Sequence, residues 1–193
     1  MRAALAAEAD RSLPRLIETT QALVRAASPN PPGDTTAVGV VAENFLATIP
    51  GIEIRRFEPK SGIVSLLARL RGRLPGRRLI FNGHLAPSLS VTRRVGSRPC
   101  PSSARRPGLR PWRVRHEARP CRFDPCSSLL ASHAHAWDGE VVLTFAGDEE
   151  TMGSLGTGHL LAKVPAARGD ANICGDVGRW SCGLARRACC GSR

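Results

Sequence analysis

The chain has 193 residues and no tyrosine, and its aromatic content is only 4%, low for a folded enzyme. No uninterrupted apolar run reaches transmembrane length, which excludes a helical membrane span. The N-terminus has no basic start followed by an apolar stretch, so no secretory leader is read there and the expected compartment is cytoplasmic. What is present is a 42% hydrophobic content, enough for the core of one medium domain and too much for a wholly disordered chain.

The formal net charge of +12 is not spread evenly. Residues 1–85 carry 12 basic and 7 acidic side chains, whereas residues 86–135 carry 10 Arg, no Lys and 2 acids. Residues 136–178 reverse the sign, with 2 bases against 7 acids, and residues 179–193 hold 4 Arg and no acid. Six of the seven cysteines (Cys100, Cys121, Cys126, Cys182, Cys189 and Cys190) fall in the second and fourth segments, as do the excess charges. Two segments of one character therefore interrupt two of another.

The first and third segments read as α/β protein. Leu16, Ala22, Leu23 and Ala26 lie near helical spacing between Leu13 and Ala27, and Ser28-Pro29 ends that helix. Pro31-Pro32-Gly33-Asp34 is a turn, and Thr35 or Thr36 caps a second helix through Val38, Val41, Phe45 and Leu46. Strands are predicted over Ile52–Phe57, Ile63–Leu67, Arg78–Asn82, Glu140–Phe145 and Ala171–Cys174, with short helices over 127–137 and Leu155–Val164. Alternating helices and strands imply a mostly parallel sheet flanked by helices, with active-site residues at strand C-termini. Residues 86–128 and 179–193 show neither helical nor strand periodicity and are expected to be irregular.

Three fragments at strand ends offer metal ligands: Asn82-Gly83-His84-Leu85, Gly147-Asp148-Glu149-Glu150-Thr151 and Cys174-Gly175-Asp176. A lone strand-end His is usually structural, and acidic pairs after strands usually cap helices. One imidazole and several carboxylates converging on one sheet edge nevertheless make a carboxylate-rich zinc site.

Gly83-His84-Leu85, Thr144-Phe145-Ala146-Gly147-Asp148-Glu149-Glu150 and Gly175-Asp176 resemble the metal-site motifs of the M20 metallopeptidase family. That family includes acetylornithine deacetylase, succinyl-diaminopimelate desuccinylase and carboxypeptidase G2. The opening Leu16–Asp34, with its Ser28-Pro29-Asn30-Pro31-Pro32-Gly33 turn, resembles the family's N-terminal region, and the likeness spans about residues 10–85 and 136–178. It implies a zinc-peptidase-like catalytic domain over 1–178 that uses two zinc ions, with cobalt or manganese as substitutes. His84 and Asp176 would ligate one ion and Glu150 the other, with Glu149 the general base and Asp148 capping or orienting the loop. The implied reaction is hydrolysis of an N-acyl or peptide amide in an amino-acid-like small molecule. The implied parent is a homodimer, and its dimerisation domain is not expected within this chain.

The sequence departs from that pattern at three places. Ala86 stands where the family has the Asp that orients the ligating His. The family's Gly-Arg-Gly-x-x-Asp-Met-Lys stretch, which carries the bridging Asp, does not occur in residues 86–135, and the family's last His ligand is not found. Out-of-frame translation accounts for these losses. Arg110–Ala118, decoded one base later, can read Gly-Arg-Gly-Val-Ser-Asp-Met-Lys, with its Asp at the Arg115-His116 junction. Ala86–Thr92, read two bases later, can give Thr-Phe-Pro-Val-Gly-Asp, and Cys182–Gly191 can give Arg-Leu-Gly-Glu-Lys-Gly-Leu-Leu-Trp. The chain as written is thus expected to be an inactive hydrolase and a molten or aggregating partial domain.

The basic and cysteine-rich segments admit two other readings. Residues 93–122 could be a nucleic-acid-binding arm, but they contain no Lys and fit no motif, and Trp112 and the adjacent Phe123 are the only aromatics there. No specific nucleic-acid partner is expected. Cys121-x4-Cys126 and Cys182-x6-Cys189-Cys190 miss the usual zinc spacing, and an odd cysteine count argues against a disulfide framework. A non-catalytic globular fragment is the remaining alternative.

Overall fold

Two apolar runs set the architecture. Ile63–Arg71 and Glu140–Ala146 are rich in β-branched and leucine residues and are buried along almost their whole length, as central strands must be. The computed structural model describes residues 2–26, 28, 33–85, 126–149 and 153–175. Its strands are β1 (Glu53–Lys60), β2 (Ile63–Arg71), β3 (Arg78–His84), β4 (Glu140–Ala146) and β5 (Ala171–Cys174). Its helices are α1 (Arg2–Arg11), α2 (Leu13–Arg25), α3 (Thr36–Ala47), α4 (126–132) and α5 (Thr157–Lys163).

The five strands form one sheet in the order β1-β2-β4-β3-β5. β2 runs antiparallel to both β1 and β4, while β3 is parallel to β4 and β5. Four strands therefore point one way and β2 alone is reversed, so the expected mostly parallel sheet is present with a hairpin at one edge. That edge tolerates Pro59 and an irregular register between Phe57 and Lys60, because an outermost strand needs only one set of ladder bonds.

Helices cover both faces of the sheet. On one face Leu23 of α2 and Val38, Ala42 and Leu46 of α3 pack against Val64, Leu66, Phe81, Leu143 and Phe145. On the other, Leu160 of α5, Val164 and Ala167 pack on Leu67, Ile80 and Val142. Alternation along β3 and β4 sorts the side chains: Phe81, Leu143 and Phe145 go to the first face, Ile80 and Val142 to the second.

Several element boundaries differ from the sequence reading, and one helix is added to it. β3 runs to His84 rather than Asn82, because Gly83 and His84 continue the register with Phe145 and Ala146. Helix α4 begins at 126, so the irregular stretch expected over 86–128 does not include residues 126–128; residues 86–125 and 176–193 lie outside the described residues. Helix α1 was not foreseen. Its alanine-rich sequence has high helical propensity but no apolar stripe, and the stripe is what periodicity detects. Among the described residues no helix is long and apolar enough to cross a membrane.

Candidate active site

The chain passes from β3 to β4 on one side, then back across β3 to form β5 on the other. Such a reversal leaves a crevice at the carboxyl ends of the parallel strands. His84 is the last residue of β3, paired in register with Ala146, the last of β4. By the alternation above it shares the α5 face with Ile80 and Asn82, and it is only 5% exposed. Leu85 fixes the exit of β3: its N–H donates to the Ala146 carbonyl (2.8 Å), and its carbonyl accepts from the buried Ser28 hydroxyl (3.4 Å).

β4 ends in Gly147-Asp148-Glu149. The Gly147 N–H donates to Ser65 Oγ of β2 at 3.2 Å. A Cβ here would run into the Val64 carbonyl and Thr35 Oγ1, so only glycine lets the chain turn this close to β2. Asp148 is buried, and its Oδ2 accepts from the Leu155 N–H at 2.7 Å. Its carbonyl accepts from Gly153 N–H at 3.1 Å. Asp148 thus anchors the loop between β4 and α5.

With Asp148 turned inward, Glu149 points to the crevice. Its Oε2 lies 3.8 Å from His84 Nε2, and its side chain is 47% exposed against 6% for the imidazole. A buried ring nitrogen facing a solvent-reaching carboxylate can hold a cation between them, or share a proton when the imidazole is charged. Among the described residues no set of three His, Cys, Asp or Glu side chains is grouped to hold a metal ion. Among the described residues, His84 and Glu149 alone offer part of the donor set for one borderline cation. Of the other expected ligands, Glu150 and Asp176 lie outside the described residues. The described chain leads to the latter through Gly175, whose N–H donates to the Asn82 carbonyl at 2.8 Å.

The sequence reading missed the groups that position this pair. Of the two candidate caps, Thr35 and Thr36, Thr35 stands at the N-cap of α3, but its side chain makes no capping bond. Asp34 takes that work, with Oδ1 accepting from Thr36 N–H at 2.9 Å, and this bond holds the Asp34 carboxyl below its ordinary range. Freed from capping, the wholly buried Thr35 hydroxyl accepts from Val64 N–H (2.8 Å) and lies 3.1 Å from the Val64 carbonyl. Thr35, Ser65 and Gly147 together lock the start of α3 and the end of β4 onto β2. A threonine before an apolar helix carries no signal that separates these two jobs.

No protein-family model and no curated protein matches the chain. Solved structures do match in fold. A tripeptidase from Staphylococcus aureus aligns with a TM-score of 0.60 at 13% identity, over 84% of this chain and 43% of its own. Human carnosine dipeptidase 1 aligns at 0.59 and 13% identity, over 88% of this chain and 40% of its own. The aminopeptidase PepT from Bacillus cereus aligns at 0.51 and 14% identity, over 70% and 36% respectively. The chain thus has a peptidase-like α/β fold and spans less than half the length of these structures.

Proposed function

We propose that the chain derives from a metal-dependent amidohydrolase of the M20 type, cleaving an N-acyl or peptide amide bond of an amino-acid-like substrate. The observation that carries this reading is the buried His84 at the end of β3, facing Glu149 across 3.8 Å at the end of the neighbouring parallel strand. The peptidase fold of the solved structures supports it. In this reading His84 and Asp176 hold one zinc and Glu150 belongs to the second position. When bound, zinc would lower the pKa of a water and polarise the scissile carbonyl. Glu149, exposed enough to reach solvent and held by its buried neighbour Asp148, is the group that takes the water's proton and passes it to the leaving amine.

The same reading makes the chain as written inactive. Ala86 replaces the carboxylate that would orient His84, and residues 86–135 contain only Glu117 and Asp124 as acids, neither within a Gly-Arg-Gly-x-x-Asp-Met-Lys stretch. Without a bridging carboxylate a paired-metal site does not form. Out-of-frame translation of 86–125 and of the tail supplies the cause.

Metal titration of the purified chain tests this assignment. The expected result is one zinc per chain, weakened at least tenfold in His84→Ala, with no turnover of N-acetylornithine or a similar N-acyl amino acid. Two tightly bound ions, or zinc binding indifferent to His84→Ala, would contradict the assignment.

A further inference from the structure

The first helix meets the second at a break rather than a loop. Pro14 stands in the first turn of α2, where it has no N–H for the Asp10 carbonyl and its ring crowds that group, so the helical path is interrupted at Ser12. The Ser12 hydroxyl turns back to the Ala9 carbonyl at 2.6 Å and closes the end of α1 on itself. α1 has no apolar stripe to bury, and from Ala6 to Arg11 every side chain but Glu8 is exposed. Glu8 reaches the end of α4: its Oε2 lies 3.2 Å from His133 Nε2, and its Oε1 lies 3.4 Å from the Ser132 hydroxyl. That hydroxyl sits closer to the Leu129 carbonyl, at 2.9 Å, so His133 is the main hold. Among the described residues no other ion pair or side-chain hydrogen bond ties α1 to an element beyond α2.

We propose that α1 is a hinged arm, latched onto the end of α4 by the Glu8–His133 pair when the imidazole is charged and loosened when it is neutral. Imidazole is the side chain that ordinarily changes charge between about pH 5 and 8. The charged ring attracts the Glu8 carboxylate and the neutral ring keeps at most a hydrogen bond to it, so docking is tighter at the acid end of that range and weakens as pH rises. Among the described residues two titratable groups face the ring: Glu8 from α1, and His135 of the single turn Ala134–Ala136, whose ring centre lies 6.2 Å away. A charged His135 opposes the charge on His133, but Glu8 is the nearer of the two and favours it. The latch side chains are 40% and 38% exposed, which limits the effect to that of a surface pair, about two- to fivefold in the docked population. A change of that size is felt by α1, because a ten-residue helix is marginal by itself in water and this one has little apolar surface to hold it.

Amide hydrogen exchange of the full chain at about pH 5.5 and pH 8, each corrected for the intrinsic exchange rate at that pH, tests the proposal across the imidazole range. Protection of the amides of residues 6–11 should fall about two- to fivefold from the acid to the alkaline condition, while the amides of α3 hold theirs. Glu8→Gln and His133→Gln, both at partly exposed positions, should abolish that fall, and His135→Gln should retain it. Equal protection of residues 6–11 at the two pH values, an undiminished fall in Glu8→Gln, or a fall lost only in His135→Gln would each overturn the latch. A fall shared equally by α3 would overturn it too, since the response would then belong to the whole domain.

Discussion

At the scale of single residues, the site is positioned by groups that carry no chemistry. Thr35 Oγ1 is fully buried against the β2 backbone, so replacing it by an isosteric apolar residue strands the Val64 N–H. Thr35→Val should cost about 1–3 kcal/mol of stability in chemical denaturation. Gly147→Ala should cost about 1–3 kcal/mol, because the new methyl meets the Val64 carbonyl and nothing flexible can yield. His84 and Glu149 stand out in the sequence because each closes an apolar run with small residues close before it. Ser65 and Ser28 were not, since a serine inside a strand or before a proline looks the same whether or not its hydroxyl holds a loop.

At the scale of elements, the end of the sheet where β1, β3 and β4 begin is tied by ion pairs as well as by packing. Glu53 of β1 accepts from Arg69 of β2, and Arg71 approaches it at 3.4 Å. Glu140 of β4 takes Arg78 of β3 at 2.7 Å and lies 3.8 Å from Arg69. The Arg69 hydrogen bond, aided by the charges of Arg69 and Arg71, lowers the Glu53 pKa from its ordinary value. A carboxylate lowered in the folded state stabilises above its unfolded pKa and loses that contribution as pH falls through its folded value. Stability should therefore decline on acidification below about pH 4.5, the ordinary Glu53 value. Glu53→Gln should flatten that decline in denaturant titrations run across the acid range. An unchanged acid limb would show that the pair is screened by solvent. The strands themselves were readable from β-branched runs, but β1 and β2 extend beyond the predicted ends because their continuations are charged. Residues such as Arg69 and Arg71 read as loop in isolation and become strand only when Glu53 and Glu140 stand opposite.

At the scale of the whole molecule, the sequence divides into segments that fold as a peptidase-like sheet and segments with the composition of off-frame reading. The described sheet and its two helical layers come from within residues 2–85 and 126–175, where, α1 and the start of α4 apart, the sequence shows periodicity. The Arg-, Pro- and Cys-rich stretch from Ala86 to Pro125 begins two residues after His84, where a metallohydrolase would place its orienting and bridging carboxylates. In the proposed reading, an expected loss of activity and the odd composition share one cause. Translating the coding DNA in all three frames tests this most directly. The account predicts that codons 110–118, read one base later, encode Gly-Arg-Gly-Val-Ser-Asp-Met-Lys, and that codons 86–92, read two bases later, encode Thr-Phe-Pro-Val-Gly-Asp. DNA that encodes neither stretch in any frame would contradict it.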